Sequence, residues 1–189
     1  MSKDLNSNEQ VVLVDEQNQK LGLADKYEVH TADTPLHRAF SLFLFNPKGE
    51  LLLQQRAAVK KTWPNIWSNS VCGHPADGES FEAAAIRRAD YEIGIQLTKT
   101  DVKIMLPKYR YRYEHLGVVE NEFCPVLVGF GNFTPKPNPN EVQNTRWVKW
   151  IDFLAEISKP NEYSKWCVEE ANLLERNSEF KRLFNEQTA

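Results

Sequence analysis

The sequence contains little cysteine and no long apolar run. Its three cysteines, Cys72, Cys124 and Cys167, are too few and odd in number for a disulfide framework, and they indicate a reducing compartment. No apolar run approaches the ~18 residues of a membrane-spanning helix, and the polar first ten residues lack the apolar segment of a signal peptide. We therefore expect a cytoplasmic protein with no membrane partner.

The sequence also lacks an excess of positive charge. It has 23 Lys and Arg against 26 Asp and Glu, a formal net charge of −3, so the overall charge does not favour a nucleic-acid partner. An anionic substrate would need a local cluster of cations. The 189 residues, of which 41% are hydrophobic, suffice for the core of one domain. We expect a flexible tail over 1–10, a single domain over 11–189, and a monomer or a weak homodimer.

Apolar patterning and turn signals predict a mixture of strands and helices. Strands are predicted at 11–14, 36–45, 51–56, 68–71, 102–114, 119–130 and 145–150. Helices are predicted at 81–93, between the N-cap Ser80 and the terminating Gly94, at a short segment capped by Asp152, and at 162–176. The predicted fold class is α/β (α+β mixed), with a mixed β-sheet flanked by helices in one domain.

One predicted helix carries charge on its buried side. Four residues at spacings of four, three and four share one stripe of this helix: Phe81, Ala85, Arg88 and Glu92. Because the first two belong in a core, Arg88 and Glu92 also point toward the protein. An ordinary ion pair at a core edge, worth only ~0.3–0.5 kcal/mol, is one interpretation. A functional site is the other.

The segment from 73 to 95 places glycine, glutamate and arginine at a characteristic spacing. Six positions match the pattern G-x5-E-x7-R-E-U-x-E-E-x-G-U, where U is bulky aliphatic: Gly73, Glu79, Arg87, Glu92, Gly94 and Ile95. The segment thus resembles the Nudix box, a loop–helix–loop whose glutamates hold Mg²⁺ on a diphosphate. Arg88 and Tyr91 replace two of these glutamates, and Ala89 is a small residue at an aliphatic position. The resemblance implies a Nudix-like fold with a weakened hydrolytic metal site, where Arg88 could bind a diphosphate oxygen directly.

Three of the four histidines are candidate metal ligands, and the fourth, near a predicted turn, is interpreted as a surface residue. The candidates are His30, His37 and His74, and the surface residue is His115. Glu120 and Glu122 lie at i and i+2 of a predicted strand and share one face. Two adjacent carboxylates need a cation, a shared proton or bulk water, and their apolar neighbours argue against a fully wet face. Three imidazoles and two carboxylates would suit a divalent ion with five or six ligands.

Five longer motifs lie between residues 26 and 126. They are K-Y-E-V-H-T-A-D-T-P-L-H-R-A-F at 26–40, K-K-T-W-P-N-I-W-S-N-S-V-C-G-H-P at 60–75, R-R-A-D-Y-E-I-G at 87–94, Y-R-Y-R-Y at 109–113 and E-N-E-F-C-P-V at 120–126. With them the chain, from about residue 11 to residue 166, resembles the type 1 isopentenyl-diphosphate Δ-isomerase family. The resemblance implies an enzyme of isoprenoid biosynthesis that interconverts isopentenyl and dimethylallyl diphosphate, with an isoprenoid diphosphate as its small-molecule partner. Asn65 departs from the family, which often has Gly at that position.

The resemblance also implies a set of site residues. The catalytic residues are Cys72 and Glu122, with Tyr111 assisting. One divalent ion, preferably Mn²⁺ with Zn²⁺ or Mg²⁺ as alternatives, is held by His30, His37, His74, Glu120 and Glu122. A Mg²⁺ ion on the diphosphate is held by Glu92 and the backbone carbonyl of Cys72. The substrate is contacted by Lys26, Arg56, Lys60, Arg88 and, along its hydrocarbon, Trp166.

These residue types suit the implied reaction. Moving a double bond along an alkene needs a proton added at one carbon and removed at another, and hence an acid and a base on opposite sides of the substrate. An aromatic face such as Trp166 would stabilise a carbocation-like intermediate. We favour Glu122 with Tyr111 as the group that protonates isopentenyl diphosphate, and Cys72 as the base. The alternative functions are a Nudix-type diphosphate hydrolase and a non-catalytic metal-binding module.

Overall fold

The structure of the protein, a computed structural model, describes residues 9–158 and 162–188. The strands in these ranges are β1 Gln10–Val14, β2 Lys20–Asp25, β3 His37–Arg38, β4 Phe40–Phe45, β5 Glu50–Arg56, β6 Trp67–Ser68, β7 Val71–Gly73, β8 Val102–Leu106, β9 Arg110–His115, β10 Val118–Phe123, β11 Val126–Phe130 and β12 Val142–Lys149. The helices are α1 Lys26–Val29, α2 Phe81–Ile93, α3 Trp150–Ile157, α4 Lys165–Arg176 and α5 Ser178–Thr188. Of the tail predicted over 1–10, residues 1–8 lie outside the described residues.

The strands form two mixed sheets instead of the one sheet that was expected. The first sheet has the order β2-β1-β3-β10-β9. The second has the order β12-β5-β4-β11-β8, and in addition β6 pairs with β5 and β7 pairs with β4. β3 runs parallel to β10 and β4 runs parallel to β11, which makes both sheets mixed. The predicted α/β fold class is confirmed.

Two segments of the chain pass from the first sheet to the second, and a third passes back. The single strands predicted at 36–45 and 119–130 are therefore each divided, into β3 and β4 and into β10 and β11. Pro125 interrupts the second segment because it has no N–H to continue a strand ladder. Across the break, the N–H groups of Ala39 and Ser41 donate to the carbonyls of Phe123 and Pro125 at 2.9 and 3.1 Å. The strand predicted at 102–114 is likewise divided into β8 and β9, on either side of Pro107.

The second sheet is covered by helices on both faces. Alternate residues of β4 belong to different hydrophobic clusters, since Phe43 and Phe45 pack in one with residues of α3, α4 and α5, whereas Leu42 and Leu44 pack in the other with residues of α2. This placement of helices on both sides of a sheet is as predicted. Among the described residues, no helix has both the length and the apolar character to cross a membrane.

Helix α2 begins and ends as its sequence predicts. The Ser80 hydroxyl accepts from the Ala83 N–H at 3.2 Å, and Gly94 adopts the left-handed conformation with φ of 62°. Three alanines let the helix approach the sheet closely. The two charged residues of the stripe are buried with them. The buried residues of the helix are Ala84, Ala85, Arg88, Ala89, Glu92 and Ile93. The predicted inward orientation of Arg88 and Glu92 is thus confirmed.

The C-terminal helices differ more from the prediction. Helix α3 begins at Trp150 with Lys149 as its N-cap residue, so the expectation that Asp152 caps it is wrong. Asp152 lies within the first turn, where its charge still favours the positive end of the helix dipole. Helix α4 begins at Lys165, later than residue 162, and α5 was not predicted. Phe180 anchors α5 in the core.

We predict that Gly94→Ala destabilises the fold more than Gly78→Ala does. Both glycines have positive φ, 62° and 76°, so either substitution places alanine in a left-handed conformation at a cost of about 1–2 kcal/mol. A Cβ at Gly94 would also lie 3.0 Å from the carbonyl oxygen of Lys136, whereas nothing lies within 4 Å of one at Gly78. The free energy of unfolding in urea measures the difference, and equal losses would contradict this account.

Candidate active site

A cavity of about 580 Å³ receives side chains from both sheets and from α2 and α4. It is lined by eleven of the thirteen predicted site residues: Lys26, His30, Arg56, Lys60, Cys72, His74, Arg88, Tyr111, Glu120, Glu122 and Trp166. The other two lie directly behind it, since His37 Nε2 is 3.6 Å from Glu122 Oε1 and Glu92 Oε1 is 2.7 Å from an Arg88 nitrogen. The fold thus brings all the predicted site residues into one region.

The five predicted histidine and glutamate ligands lie together at this cavity. The potential ligand atoms of His30, His37, His74 and Glu122 are all within 4.8 Å of one another. The fifth residue, Glu120, places its Oε2 3.1 Å from His30 Nε2. Glu120 and Glu122 are only 5% and 6% exposed, which excludes bulk water around the pair and agrees with the argument from their apolar neighbours. The parallel pairing of β3 with β10 brings His37 directly opposite Glu122.

Backbone contacts fix the tautomer of two of these histidines. Nδ1 of His30 lies 2.7 Å from one backbone carbonyl, and Nδ1 of His37 lies 2.9 Å from another. Because a carbonyl only accepts, Nδ1 carries the hydrogen and Nε2 of the neutral ring presents a lone pair.

Those lone pairs point at carboxylate oxygens. His30 Nε2 faces Glu120 at 3.1 Å, His37 Nε2 faces Glu122 at 3.6 Å, and neither nitrogen has a hydrogen-bond partner among the described residues. Two buried acceptors remain this close when a cation or a proton lies between them. The imidazole and carboxylate donor set, with its inward Nε2 atoms held from behind, fits a divalent metal ion.

The predicted catalytic residues reach the cavity from different sheets. Cys72 lies in β7 of the second sheet, whereas Tyr111 and Glu122 are directly paired in β9 and β10 of the first. The Tyr111 hydroxyl donates to Glu122 Oε2 at 2.6 Å, and Glu122 Oε1 lies 3.1 Å from His74 Nε2. One oxygen of this carboxylate therefore faces the histidines and the other faces the tyrosine.

Burial determines where the protons of the thiol and the phenol reside. Burial raises the pKa of Cys72 to about 12, and the thiol donates to Asn69 Oδ1 at 3.1 Å. Burial and the neighbouring charge of Glu122 hold the pKa of Tyr111 well above its usual value. Both groups therefore keep their protons at neutral pH.

Aromatic rings form the apolar wall of the cavity. The Trp166 ring stacks on Tyr111 with centroids 5.6 Å apart and planes 13° apart, and Trp63 packs edge-on against it at 5.1 Å. Trp63 in turn stacks on the His115 ring at 4.4 Å. His115 is consequently half-buried, and so more shielded than its interpretation as a surface residue implied.

Five cationic side chains line the cavity: Lys26, Arg56, Lys60, Lys61 and Arg88. Carboxylates already pair with several of them. Glu9 pairs with Lys26 and lies 3.6 Å from Arg88, while Glu141 pairs with Lys60 and lies 3.2 Å from Arg88. A diphosphate that enters this cluster has to compete with these internal carboxylates for the cations.

The two altered positions of the Nudix-box pattern contact each other. The Arg88 guanidinium carbon lies 5.0 Å from the Tyr91 ring centroid, and Arg88 donates to Glu92 Oε1 at 2.9 and 2.7 Å. A Cβ at Gly73 would lie 3.1 Å from Arg88 Cγ, so a larger residue at this position would displace the arginine from the strand that carries Cys72. Arg88 thus adjoins both groups predicted to hold Mg²⁺, Glu92 directly and the Cys72 backbone through Gly73.

Glu79 and Arg87 match the Nudix-box pattern but do not line the cavity, and they have a structural role. Arg87 donates to both carboxylate oxygens of Glu79 at 2.9 and 2.7 Å and to the backbone carbonyl of His74 at 3.2 Å. Glu79 also accepts from the Ala76 N–H at 2.8 Å. These bonds hold the loop between β7 and α2, and with it the ring of His74.

Residues of the site that were missed from the sequence include the cavity-lining Lys61 and three partners of predicted residues: Glu9, Asn69 and Glu141. Glu9 and Glu141 belong to no motif, and only the fold brings them to the cations. Asn69 lies within S-N-S-V-C-G-H-P, so its position three residues before Cys72 was the available signal. Arg56 was predicted to contact the substrate, and although it lines the cavity, its guanidinium donates to the backbone carbonyl of Thr62 at 2.8 Å.

Comparison with known proteins relates this geometry to a family. The family model of the NUDIX domain matches residues 35–167. A curated protein of Saccharopolyspora erythraea named isopentenyl-diphosphate Delta-isomerase is 48% identical over 161 residues, which cover 84% of this chain and 82% of that protein. One of the same name from Paenarthrobacter aurescens is 44% identical over 178 residues, which cover 92% and 95%. The chain belongs to the isopentenyl-diphosphate Delta-isomerase family. This confirms the family resemblance that the five sequence motifs indicated.

Solved structures place the isomerase-family chain in the Nudix fold. A crystal structure of a Deinococcus radiodurans protein matches with a TM-score of 0.69 at 22% identity, covering 90% of this chain and 99% of that one. A MutT protein from Methanosarcina mazei matches with a TM-score of 0.62 at 19% identity, covering 75% and 94%. At such identities the likeness concerns the fold alone, and the predicted Nudix-like fold is confirmed.

We predict that Glu141→Gln strengthens pyrophosphate binding. The substitution keeps the shape of the side chain but removes a negative charge that competes with the anion for Lys60 and Arg88. Isothermal titration calorimetry in the presence of Mg²⁺ should show a dissociation constant about three- to tenfold lower, or about 0.7–1.4 kcal/mol. Glu156→Gln, at an exposed ion pair with Arg146, is the matched control and should leave the dissociation constant unchanged. Weaker binding by Glu141→Gln would show that this carboxylate positions the cations for the anion.

Proposed function

We propose that this chain interconverts isopentenyl and dimethylallyl diphosphate by adding a proton at one carbon and removing one at another. Family membership at 44–48% identity over most of the chain supports this reaction. The observation that carries it is the placement of Cys72 on one sheet and of the Tyr111–Glu122 pair on the other, with all three lining one cavity. A flat alkene between them would have a proton-transfer group on each side.

The residues of the cavity suit the two ends of the substrate. Lys26, Lys60 and Arg88 provide charge for the diphosphate, and the stacked ring of Trp166 provides an aromatic face for the hydrocarbon and for positive charge that develops on it. Burial of this ring keeps water from the reacting carbons, which protects a carbocation-like intermediate from capture.

The order of proton transfer depends on the thiol. From the sequence we favoured Glu122 with Tyr111 as the acid and Cys72 as the base. In the substrate-free protein the Cys72 thiol holds its proton, since burial raises its pKa to about 12, and in that state it is a proton donor. Tyr111 donates to the Glu122 oxygen that faces away from the histidines, and this oxygen can accept a proton from the substrate side. The assignment of acid and base in each direction stays a prediction.

Two metal ions belong to the proposal. His30, His37, His74, Glu120 and Glu122 would hold one divalent ion, for which we favour Mn²⁺ over Zn²⁺ or Mg²⁺. Glu92 and the backbone carbonyl of Cys72 would hold Mg²⁺ on the diphosphate. When bound, the ions supply positive charge that orients Glu122 and neutralises the diphosphate. Glu92 accepts a hydrogen bond from Arg88 in this structure, so its carboxylate has to release Arg88 before it can bind Mg²⁺.

The alternative function, a Nudix-type diphosphate hydrolase, has less support. The two box glutamates that such an enzyme would use are Arg88 and Tyr91 here, and these contact each other. A cytoplasmic location, the absence of nucleic-acid and membrane partners, and a monomeric or weakly dimeric state stay predictions from the sequence.

We predict that the protein, supplied with Mg²⁺ and Mn²⁺ in D₂O, converts isopentenyl diphosphate to deuterated dimethylallyl diphosphate. NMR or mass spectrometry of the product measures both conversion and deuterium content. Cys72→Ala should lower kcat by about 10²-fold or more, because it removes one of the two proton-transfer groups. Cys167→Ala, at a buried cysteine that does not line the cavity, is the control. Phosphate release without isomerisation would favour the hydrolase, and no conversion or exchange by metal-replete protein would refute the proposal.

A further inference from the structure

Two tyrosine hydroxyls converge on one carboxylate oxygen of helix α4. Tyr109 and Tyr113 donate to Glu169 Oε2 at 2.7 and 2.5 Å, which are lengths typical of hydrogen bonds between a hydroxyl and an ionised carboxylate. Burial and the carboxylates of α4 raise the pKa of both tyrosines, so each keeps the proton that it donates. These two hydrogen bonds, which we call the tyrosine clamp, join α4 to two points along the segment that forms β9.

The two clamped tyrosines flank Tyr111 on one face of the first sheet. Residues two positions apart lie roughly 6.6 Å from each other along a strand. The ring centroids of Tyr109 and Tyr113 are closer than this to the Tyr111 centroid, at 5.9 and 5.3 Å. Both rings are therefore drawn toward the ring between them, in agreement with their hydroxyls sharing one acceptor.

Helix α4 is attached to the second sheet just before its first residue. The Ser164 N–H donates to the Trp67 carbonyl at 2.9 Å, and the hydroxyl oxygens of Ser68 and Ser164 lie 2.9 Å apart. The tyrosine clamp attaches the same helix to the first sheet through Glu169. Trp166, which is only 3% exposed, lies between these two attachments along the helix.

We propose that Glu169 is a positioning residue for the isomerisation, because its clamp on two tyrosines keeps Trp166 stacked on Tyr111. Glu169, Tyr109 and Tyr113 do not line the cavity, so the carboxylate acts through the two rings that do. The stacked pair holds the aromatic face of the cavity in a fixed relation to the Tyr111 hydroxyl. The inference rests on the proposed function and deepens it.

Two substitutions of Glu169 test the clamp in the isomerase assay. Glu169→Leu removes the acceptor, and we expect kcat to fall about fivefold or more with KM within about twofold, because the cations for the diphosphate are unchanged. Glu169→Gln keeps an acceptor oxygen and should keep kcat within about twofold of the wild type. Full kcat in Glu169→Leu, or an equal loss in both variants, would overturn the proposal.

A control variant on the same helix separates the clamp from general damage to α4. Asn172 is exposed like Glu169, and its side chain donates to the Val168 carbonyl of its own helix at 2.8 Å. Asn172→Leu therefore places the same side chain on the same helix without breaking a contact to β9, and it should keep full kcat. A loss in Asn172→Leu as large as that in Glu169→Leu would show that the effect is not specific to the clamp.

The tyrosine side of the clamp gives an independent test. Tyr109→Phe combined with Tyr113→Phe keeps both rings but removes both donors, and it should reproduce the loss of kcat in Glu169→Leu. The triple variant should lose no more than either parent, because all of these variants remove the same two hydrogen bonds. Multiplying losses in the triple variant would contradict the clamp.

The surroundings of Trp166 test the clamp without any activity measurement. In protein labelled with fluorotryptophan, fluorine NMR resolves the tryptophans, and Trp166→Phe identifies the signal of Trp166. We expect this signal to shift or broaden in Glu169→Leu and to keep its position in Glu169→Gln and Asn172→Leu. An unchanged signal in Glu169→Leu would overturn the positioning role. This result stands whether or not the wild type isomerises the substrate, so failure of the clamp and failure of the proposed function are distinguishable.

Discussion

Two imidazole nitrogens that face two carboxylate oxygens form the contact on which the active site depends. Their Nδ1 atoms are committed to backbone carbonyls, so the lone pairs of His30 and His37 are directed at Glu120 and Glu122. Buried acceptors in this arrangement require positive charge. A divalent ion there would fix one oxygen of Glu122 and leave the other to Tyr111. The same contact would thus organise the proposed metal site and one of the two proposed proton-transfer groups.

The path of the chain between two sheets makes this arrangement possible. Segments 37–45 and 118–130 each begin in the first sheet and continue in the second, side by side and parallel. They bring Glu122 opposite His37, and the pairing of β4 with β7 places Ser41 opposite Cys72. Ligands, carboxylate and thiol are therefore held by backbone ladders. Only the cationic end of the cavity relies on long flexible side chains and their carboxylate partners.

Features with a local chemical cause could be predicted from the sequence. The Ser80 cap, the Gly94 stop and the inward-facing Arg88 follow from helix geometry, and the i, i+2 spacing of the two glutamates follows from strand geometry. Features that depend on long-range contacts could not. The division into two sheets arises from pairing across distant segments, and no local pattern links Glu9 or Glu141 to cations far along the chain. His115 is more shielded than predicted for the same reason, because Trp63 stacks on it only in the folded protein.

Anomalous X-ray diffraction from crystals grown with Mn²⁺ tests the central claim most directly. The account predicts one anomalous peak within about 2.0–2.3 Å of the Nε2 atoms of His30 and His37, a nitrogen of His74 and an oxygen of Glu122. The peak should vanish in His37→Ala and persist in His115→Ala. The absence of a peak in the wild type, together with NMR signals of doubly protonated His30 and His37 rings, would show that protons rather than a metal ion occupy this site.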